Sequence, residues 1–367
     1  MKHFKQLSII TFCLSLFVST LTSAQVLKKS WKNITRMEDG EWFGSDEAIA
    51  VAENVLLYQR EVGGWPKNIQ MQKPLSREKK QELQSLKNIG KGATTDNGAT
   101  IQEMVFLSKI YRQTQNEVYK KAFLKGVDYL LKAQYDNGGW PQFYPVKKGY
   151  YTHITYNDNS MVNIMELLKE LRDNSGVYAI KPDQETIEKI KVAFDKGVDC
   201  IIKTQYKQNG VLTAWCAQHD ENTFKPAKAR AYELPSLSGA ESAKIVLLLM
   251  SIENPSKEVI SAINAAHTWF KKVMITGLRE DREYNDKGKV SKKTMVKDPD
   301  AKPIWARFME LDNNRPFFCD RDGIKKYDIS EIGEERRNGY AWYVNEPKEV
   351  IKKYDRWSAK YNVKKKD

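Results

Sequence analysis

Apolar residues recur at helical spacing in two stretches that also share their sequence. Ala122 to Tyr135 reads AFLKGVDYLLKAQY and Ala193 to Tyr206 reads AFDKGVDCIIKTQY, with nine of the fourteen positions identical. Phe123, Val127, Leu130 and Leu131 in the first copy, and Phe194, Val198, Ile201 and Ile202 in the second, fall on one face of a 3.6-residue helix. Each copy ends in Gln-Tyr and runs into a Gly-containing turn, Asn137-Gly138-Gly139-Trp140 or Asn209-Gly210. The cadence returns faintly at Ala265 to Gly277, and Gly63-Gly64-Trp65-Pro66 looks like an earlier copy of the turn.

A second repeat interleaves with the first. Asp96-Asn97-Gly98 precedes a helical stripe of Ile101, Met104 and Val105, and Asp158-Asn159-Ser160 precedes one of Met161, Ile164, Met165 and Leu168. Ser238-Gly239-Ala240 opens a third helix, expected from Glu241 to Ser251. The pattern predicts an all-α chain of helical hairpins with long loops, arranged as a closed or open ring of helix pairs. Little strand is expected. Gly288 to Pro303 is charged and nearly free of apolar residues, so a surface loop is predicted there, and fraying is predicted beyond Trp357.

Residues 1–24 stand apart from this pattern. Lys2 and Lys5 precede an apolar run from Leu7 to Leu21, which closes on the small residues Thr22-Ser23-Ala24. This is the pattern of an export signal cleaved after Ala24, and the run is too short for a membrane anchor. The expected organisation is therefore a signal peptide over 1–24 and one domain over 25–367, exported and soluble. Three cysteines remain, Cys200, Cys216 and Cys319. They lack any paired spacing, which argues against a zinc site and a disulfide framework alike.

The net charge is +13, of which Lys2 and Lys5 carry two, leaving +11 on the remainder. An exported basic chain is suited to a polyanion such as an acidic polysaccharide. No helix-turn-helix, zinc-finger or RNA-reading motif accompanies the charge, so nucleic acid is not expected as partner. No membrane partner is expected, and a monomer is the default.

Three sets of residues suit chemistry, each with a plainer alternative. Asp96, Asn97 and Asp158 offer hard oxygen ligands for Ca²⁺, or cap helices. Arg230, followed three residues on by Glu233, is a candidate cationic group or one half of an ion pair. Arg307, Arg315, Arg321, Arg336 and Arg337 are interleaved with Phe, Tyr and Trp, which suits carboxylates and sugar faces, or a polar network closing the fold. His153, His219 and His267 are not spaced as metal ligands, and Trp65 and Trp140 read as packing anchors.

The motifs GGWPKN, TTDNGAT, NGGWPQFYP, YNDNSM, WCAQHD, PAKARAYELPSLSG, RFMELDNNRPFFCDRDG and RRNGYAWY lie in this order between Trp31 and Tyr343. Together they resemble the family 10 polysaccharide lyases, which are pectate lyases. The resemblance implies an (α/α)3 toroid, polygalacturonate as substrate, calcium as cofactor and an arginine as catalytic base. Carried over by position, it implies Asp96, Asn97 and Asp158 as calcium-site residues and Arg230, in its A-R-A-Y-E setting, as the base. It implies Arg307 and Arg321 as arginines that hold substrate carboxylates, with Arg315 between them as a further candidate. The lysine-rich segment between Asn285 and Lys302 departs from the family pattern. A glycoside hydrolase would instead use paired Asp/Glu residues, and a non-catalytic pectin-binding protein would retain the polymer without cutting it.

Overall fold

The computed structural model describes residues 25–38, 40–88 and 90–361. The expected signal segment, residues 1–24, lies outside the described residues, as do the lysines at 364–366.

Among the described residues helix predominates, at 48% against 12% strand with no closed barrel. The helices are α1 (Trp31–Thr35), α2 (Asp46–Tyr58), α3 (Arg77–Lys87), α4 (Ile101–Thr114), α5 (Glu117–Ala133), α6 (Ser160–Arg172), α7 (Gln184–Thr204), α8 (Gly239–Met250), α9 (Lys257–Lys272), α10 (Glu334–Gly339) and α11 (Pro347–Tyr361). The repeat predicted by apolar spacing occupies α5 and α7, and the interleaved set occupies α4, α6 and α8. Serine caps start several of the helices: Ser45 accepts from the Ala48 N–H, Ser76 from Lys79 and Ser256 from Val259. Each cap satisfies a backbone donor that the first turn cannot.

The chain divides into two compact units, Met1–Lys132 with Glu170–Glu188, and Ala133–Lys169 with Lys189–Asp367. In the first unit the core includes Phe43, Val55, Trp65, Met104, Phe106 and Phe123. In the second it includes Trp140, Ile164, Met165, Phe194, Trp215, Trp305 and Phe308.

One device recurs at the ends of three helices. After α2, Gln59 Nε2 donates to the carbonyls of Gly63 and Ala122, at 2.8 and 2.9 Å. After α5, Gln134 Nε2 donates to Gly138 and Ala193, and after α7, Gln205 Nε2 donates to Thr213 and Ala262. Each glutamine thus ties its own turn to a carbonyl of a later helix. The turn glycines permit the close approach. A Cβ on Gly63 would lie 2.2 Å from the Lys125 carbonyl oxygen, and one on Gly138 would lie 2.0 Å from that of Lys196. Both glycines also have positive φ, 104° and 91°, where side chains are strained. Trp65 and Trp140 are fully buried beside these turns, as packing anchors.

One expectation fails. Gly288 to Pro303 is not a loop throughout: β5 (Leu278–Tyr284) pairs antiparallel with β6 (Val290–Lys297) in a hairpin. Its consecutive charged residues fall on both faces of a pleated ribbon, so low apolar content did not mean irregular backbone. Lys293 is half-buried and donates through Nζ to the Tyr340 carbonyl at 2.7 Å, while its backbone N–H donates to Asn338 Oδ1. Beyond Trp357, α11 continues to Tyr361, whose ring lies 5.4 Å from Trp357, and residues 362–367 lie outside the described residues. The three cysteines are buried free thiols.

The remaining strands are two-residue antiparallel pairs. Among them, β1 (Ile154–Thr155) pairs with β4 (Gln218–His219), in register Ile154 with His219.

Candidate functional site

The two Asp-Asn turns share a backbone shape. Asp96-Asn97-Gly98 and Asn157-Asp158-Asn159 are both single 3-10 turns, with Asn97 at φ 54° and Asp158 at φ 52°. Asn and Asp tolerate this left-handed region better than other side chains. The equivalence is therefore Asn97 with Asp158, one residue away from the pairing that the letters alone suggest.

In the first unit, Asp96 is buried, and one carboxylate oxygen pairs with Lys67 Nζ. The other, Oδ1, is buried with no hydrogen-bond partner. Helix capping does not explain Asp96, since the cap position before α4 is Thr100. An unsatisfied buried carboxylate oxygen suits a cation, because leaving it unpaired is costly. Asn97 Nδ2 donates to Asn68 Oδ1 at 3.0 Å, which aims the amide. Beside it a recess of about 160 Å³ is lined by Trp31, Pro66, Asn68, Gln70 and Gln102. These residues fit a hard cation in donor chemistry.

In the second unit, a chain of contacts links Asp158 to Arg230. Asn157 Nδ2 donates to Asp158 Oδ2 at 2.9 Å, and Arg307 Nη2 donates to Asn157 Oδ1 at 3.2 Å and Glu241 Oε1 at 3.3 Å. The Arg307 guanidinium lies 4.8 Å from the centre of the Tyr340 ring. Tyr340 Oη donates to Glu233 Oε1 at 2.9 Å. Glu233 in turn accepts from Arg230 Nε at 2.7 Å and Nη2 at 2.5 Å. Arg230 and Arg336 both lie against the Tyr232 ring, at 4.9 and 4.7 Å. Arg321 approaches the same ring at 5.9 Å and shares Glu335 with Arg336.

An aromatic cluster carries this array. Tyr232, Phe308, Phe317, Phe318 and Trp342 are buried together, with Tyr340 packed on them. Rings position the guanidinium planes while leaving their N–H edges available. Arg315 has other company, stacked 3.8 Å from the Tyr327 ring near Glu310. The structure thus brings Asp158, Arg230, Arg307 and Arg321 into one unit, places Asp96 and Asn97 in the other, and sets Arg315 outside the contact chain.

Charges in this chain shift each other. Hydrogen bonding and attraction to Glu233 hold Arg230 above the ordinary arginine range, with burial opposing. Burial would lower Arg307, yet Glu241, Tyr340 and Asp158 outweigh it and the net shift is upward. Burial raises Glu233, but its bonds to Arg230 and Tyr340 prevail and it falls below the usual carboxylate range. Arg336 and Arg321 hold exposed Glu335 down to about 2. Arg307 Nε is buried without a partner, so this guanidinium keeps one donor for a ligand.

The roles of Glu233, Glu241, Asn157 and Tyr340 were largely hidden in the sequence. Glu233 was visible as a possible partner of Arg230. Tyr340 lies 107 residues further on, and no local signal joins the two. A groove of about 770 Å³ between β3 (Val211–Leu212) and α9 holds none of the predicted residues. No helix among the described residues is long and apolar enough to cross a membrane.

Comparison with known proteins shows the family. The family profile described as pectic acid lyase matches residues 59–351. Two solved structures of a family 10 polysaccharide lyase from Cellvibrio cellulosa are 36% identical, with TM-score 0.73, covering 89% of this chain and 95% of theirs. One of them is a point variant in complex with trigalacturonic acid. Among curated proteins no relative matches. The helical-toroid class of the family 10 lyase is therefore the fold class of this chain. The chain belongs to the pectic acid lyase family.

Proposed function

We propose that this pectate lyase is exported, depends on calcium, and cleaves α-1,4-polygalacturonate by β-elimination with Arg230 as the base. Family membership makes the chain a pectate lyase. The trigalacturonic acid bound to its relative supports polygalacturonate as substrate. The charge pattern of residues 1–24 supports export.

The observation that carries the assignment is the contact chain from Asp158 through Arg307, Tyr340 and Glu233 to Arg230. Elimination removes the proton on C5, α to the carboxylate, while the C4–O4 bond breaks and O4 leaves with its electron pair. Negative charge builds on the carboxylate as the proton departs, so cationic groups around it lower the barrier. Arg307, with its unpartnered Nε, and exposed Arg321 are the groups we assign to that carboxylate. Calcium, when bound, would supply a Lewis acid that neutralises the same charge. We assign calcium-binding roles to Asp96 and Asn97 within the first unit and, separately, to Asp158 within the second.

A neutral guanidine is costly. At pH 7, deprotonating an ordinary arginine requires about 7.5 kcal/mol, and at pH 10 about 3.4 kcal/mol. Glu233 adds to that cost, since its pairing raises Arg230. Arg336 on the shared Tyr232 ring acts in the opposite sense, because like charges disfavour protonation. Activity must therefore climb into the alkaline range, and neutralising or displacing the Glu233 carboxylate must precede proton transfer.

The test is turnover of polygalacturonate followed by ultraviolet absorbance of the unsaturated product. Absorbance should grow with rising pH, vanish with EDTA and return with added Ca²⁺. Shortened chains without absorbance would indicate hydrolysis, and EDTA-insensitive turnover would remove calcium from the mechanism.

A further inference from the structure

Among the described residues, one cluster of metal-ligating side chains lies outside those assigned above. His153 precedes β1, and Asp220 and Glu221 follow β4. Because β1 and β4 are antiparallel with Ile154 opposite His219, residue 153 is brought opposite residue 220. His153, Asp220 and Glu221 each place one donor atom within 4.8 Å of the other two, and all three are partly exposed.

One edge of a coordination polyhedron is in place. His153 Nδ1 is 3.1 Å from Glu221 Oε2. Two ligands bound to one ion at about 2.0–2.2 Å lie roughly 3 Å apart, so this pair already spans one edge. Asp220 makes no bond to His153, yet its position is fixed. Its Oδ1 accepts from the N–H groups of Asn222 and Thr223 and from Thr223 Oγ1. Asn137 Nδ2 donates to the Glu221 carbonyl at 2.6 Å, which steadies the same turn. An ion pair with one imidazole would account for Glu221, whereas the turn bonds of Asp220 engage Oδ1 and leave Oδ2 for a ligand.

The neighbouring histidine is excluded as a ligand. His219 accepts from the Cys216 N–H through Nε2, and its Nδ1 lies 2.8 Å from the Phe224 carbonyl. Both ring nitrogens are occupied, and burial pushes it down to about 4.

We propose that His153, Asp220 and Glu221 bind a divalent first-row transition ion of the zinc class, through one imidazole and two carboxylates. Imidazole ligation favours such ions over calcium, which takes oxygen ligands. None of the residues assigned to calcium belongs to this set. The bound ion would clip the chain before β1 to the turn after β4, and stabilise the folded protein in proportion to its occupancy.

The test uses the intact protein, stripped with EDTA, dialysed, and titrated with Zn²⁺ while Ca²⁺ is kept saturating. Calorimetry should show a single equivalent bound, with a rise in Tm. His153→Ala and Asp220→Asn should each lose that equivalent and the Tm rise, while circular dichroism stays unchanged. Asp158→Asn should keep both. No zinc binding in the presence of Ca²⁺, or binding undiminished in His153→Ala, would overturn the proposal. Neither readout depends on lyase turnover, so a negative result here leaves the catalytic assignment standing.

Discussion

The glutamine-braced turns and the arginine–tyrosine array are built in opposite ways. Gln59, Gln134 and Gln205 each do the same job, closing a turn and reaching one later helix. Arg230, Glu233, Tyr340, Arg307 and Asn157 each do something different, and the Arg307–Asn157 bond spans 150 residues. A scaffold gains from repetition, because each copy buries the same face against the same kind of neighbour. A site that must bind charge and move a proton needs unlike groups in one place, which no repeat supplies. Variants in the first region should therefore change stability and spare chemistry, and variants in the second should do the reverse.

Gly138→Ala should have the largest effect on that division. A Cβ 2.0 Å from a backbone oxygen at positive φ cannot be relieved by a rotamer change. We expect a loss of about 3 kcal/mol or more in urea unfolding, with turnover per folded molecule unchanged. A fully stable variant would show that the turn can open without cost.

Glu103 sharpens the scaffold side through pH. It is fully buried, accepts from Trp31 Nε1 at 2.7 Å, and is pushed up to about 7 by burial. The folded state holds this proton above the pH at which the unfolded chain releases it. The stabilisation is therefore complete below about 4.5 and is lost as pH rises towards 7, by roughly 3 kcal/mol across the window. Denaturation at a series of pH values should show this slope in the wild type and a flatter one in Glu103→Gln. Equal slopes would contradict the burial argument.

Gln134→Ala leaves the Gly138 and Ala193 carbonyls without their side-chain donor, and should cost about 1–3 kcal/mol. Its kcat should remain that of the wild type; a collapse in kcat at unchanged stability would break the comparison. On the other side, Glu233→Gln removes the negative charge that holds Arg230 protonated. The rise of kcat/KM with pH should begin about one unit lower, with Tm followed as a control. An unmoved profile would disconnect Glu233 from the titrating group.

Much of this division was legible beforehand, for physical reasons. Helices α4 to α9 announce themselves because amphipathic spacing and capping are local properties of a few turns. The Gln-Tyr ending was visible as repetition, though its hydrogen bonds were not. The β5–β6 hairpin was missed because strand pairing depends on a partner, and composition reported only that both faces are polar. Asp96, Asn97, Asp158, Arg230, Arg307 and Arg321 came from residue type and family resemblance. Tyr340 and Glu241 could not, since each matters through a neighbour more than sixty residues away. His153 meets its two acids through strand register, which a spacing rule cannot foresee.

The most direct test is turnover of polygalacturonate by Arg230→Lys, measured beside its affinity for trigalacturonic acid. The proposed role predicts turnover lower by about 10²–10⁴-fold, with affinity close to that of the wild type. A variant that binds the ligand and still forms most of the unsaturated product would contradict Arg230 as the base.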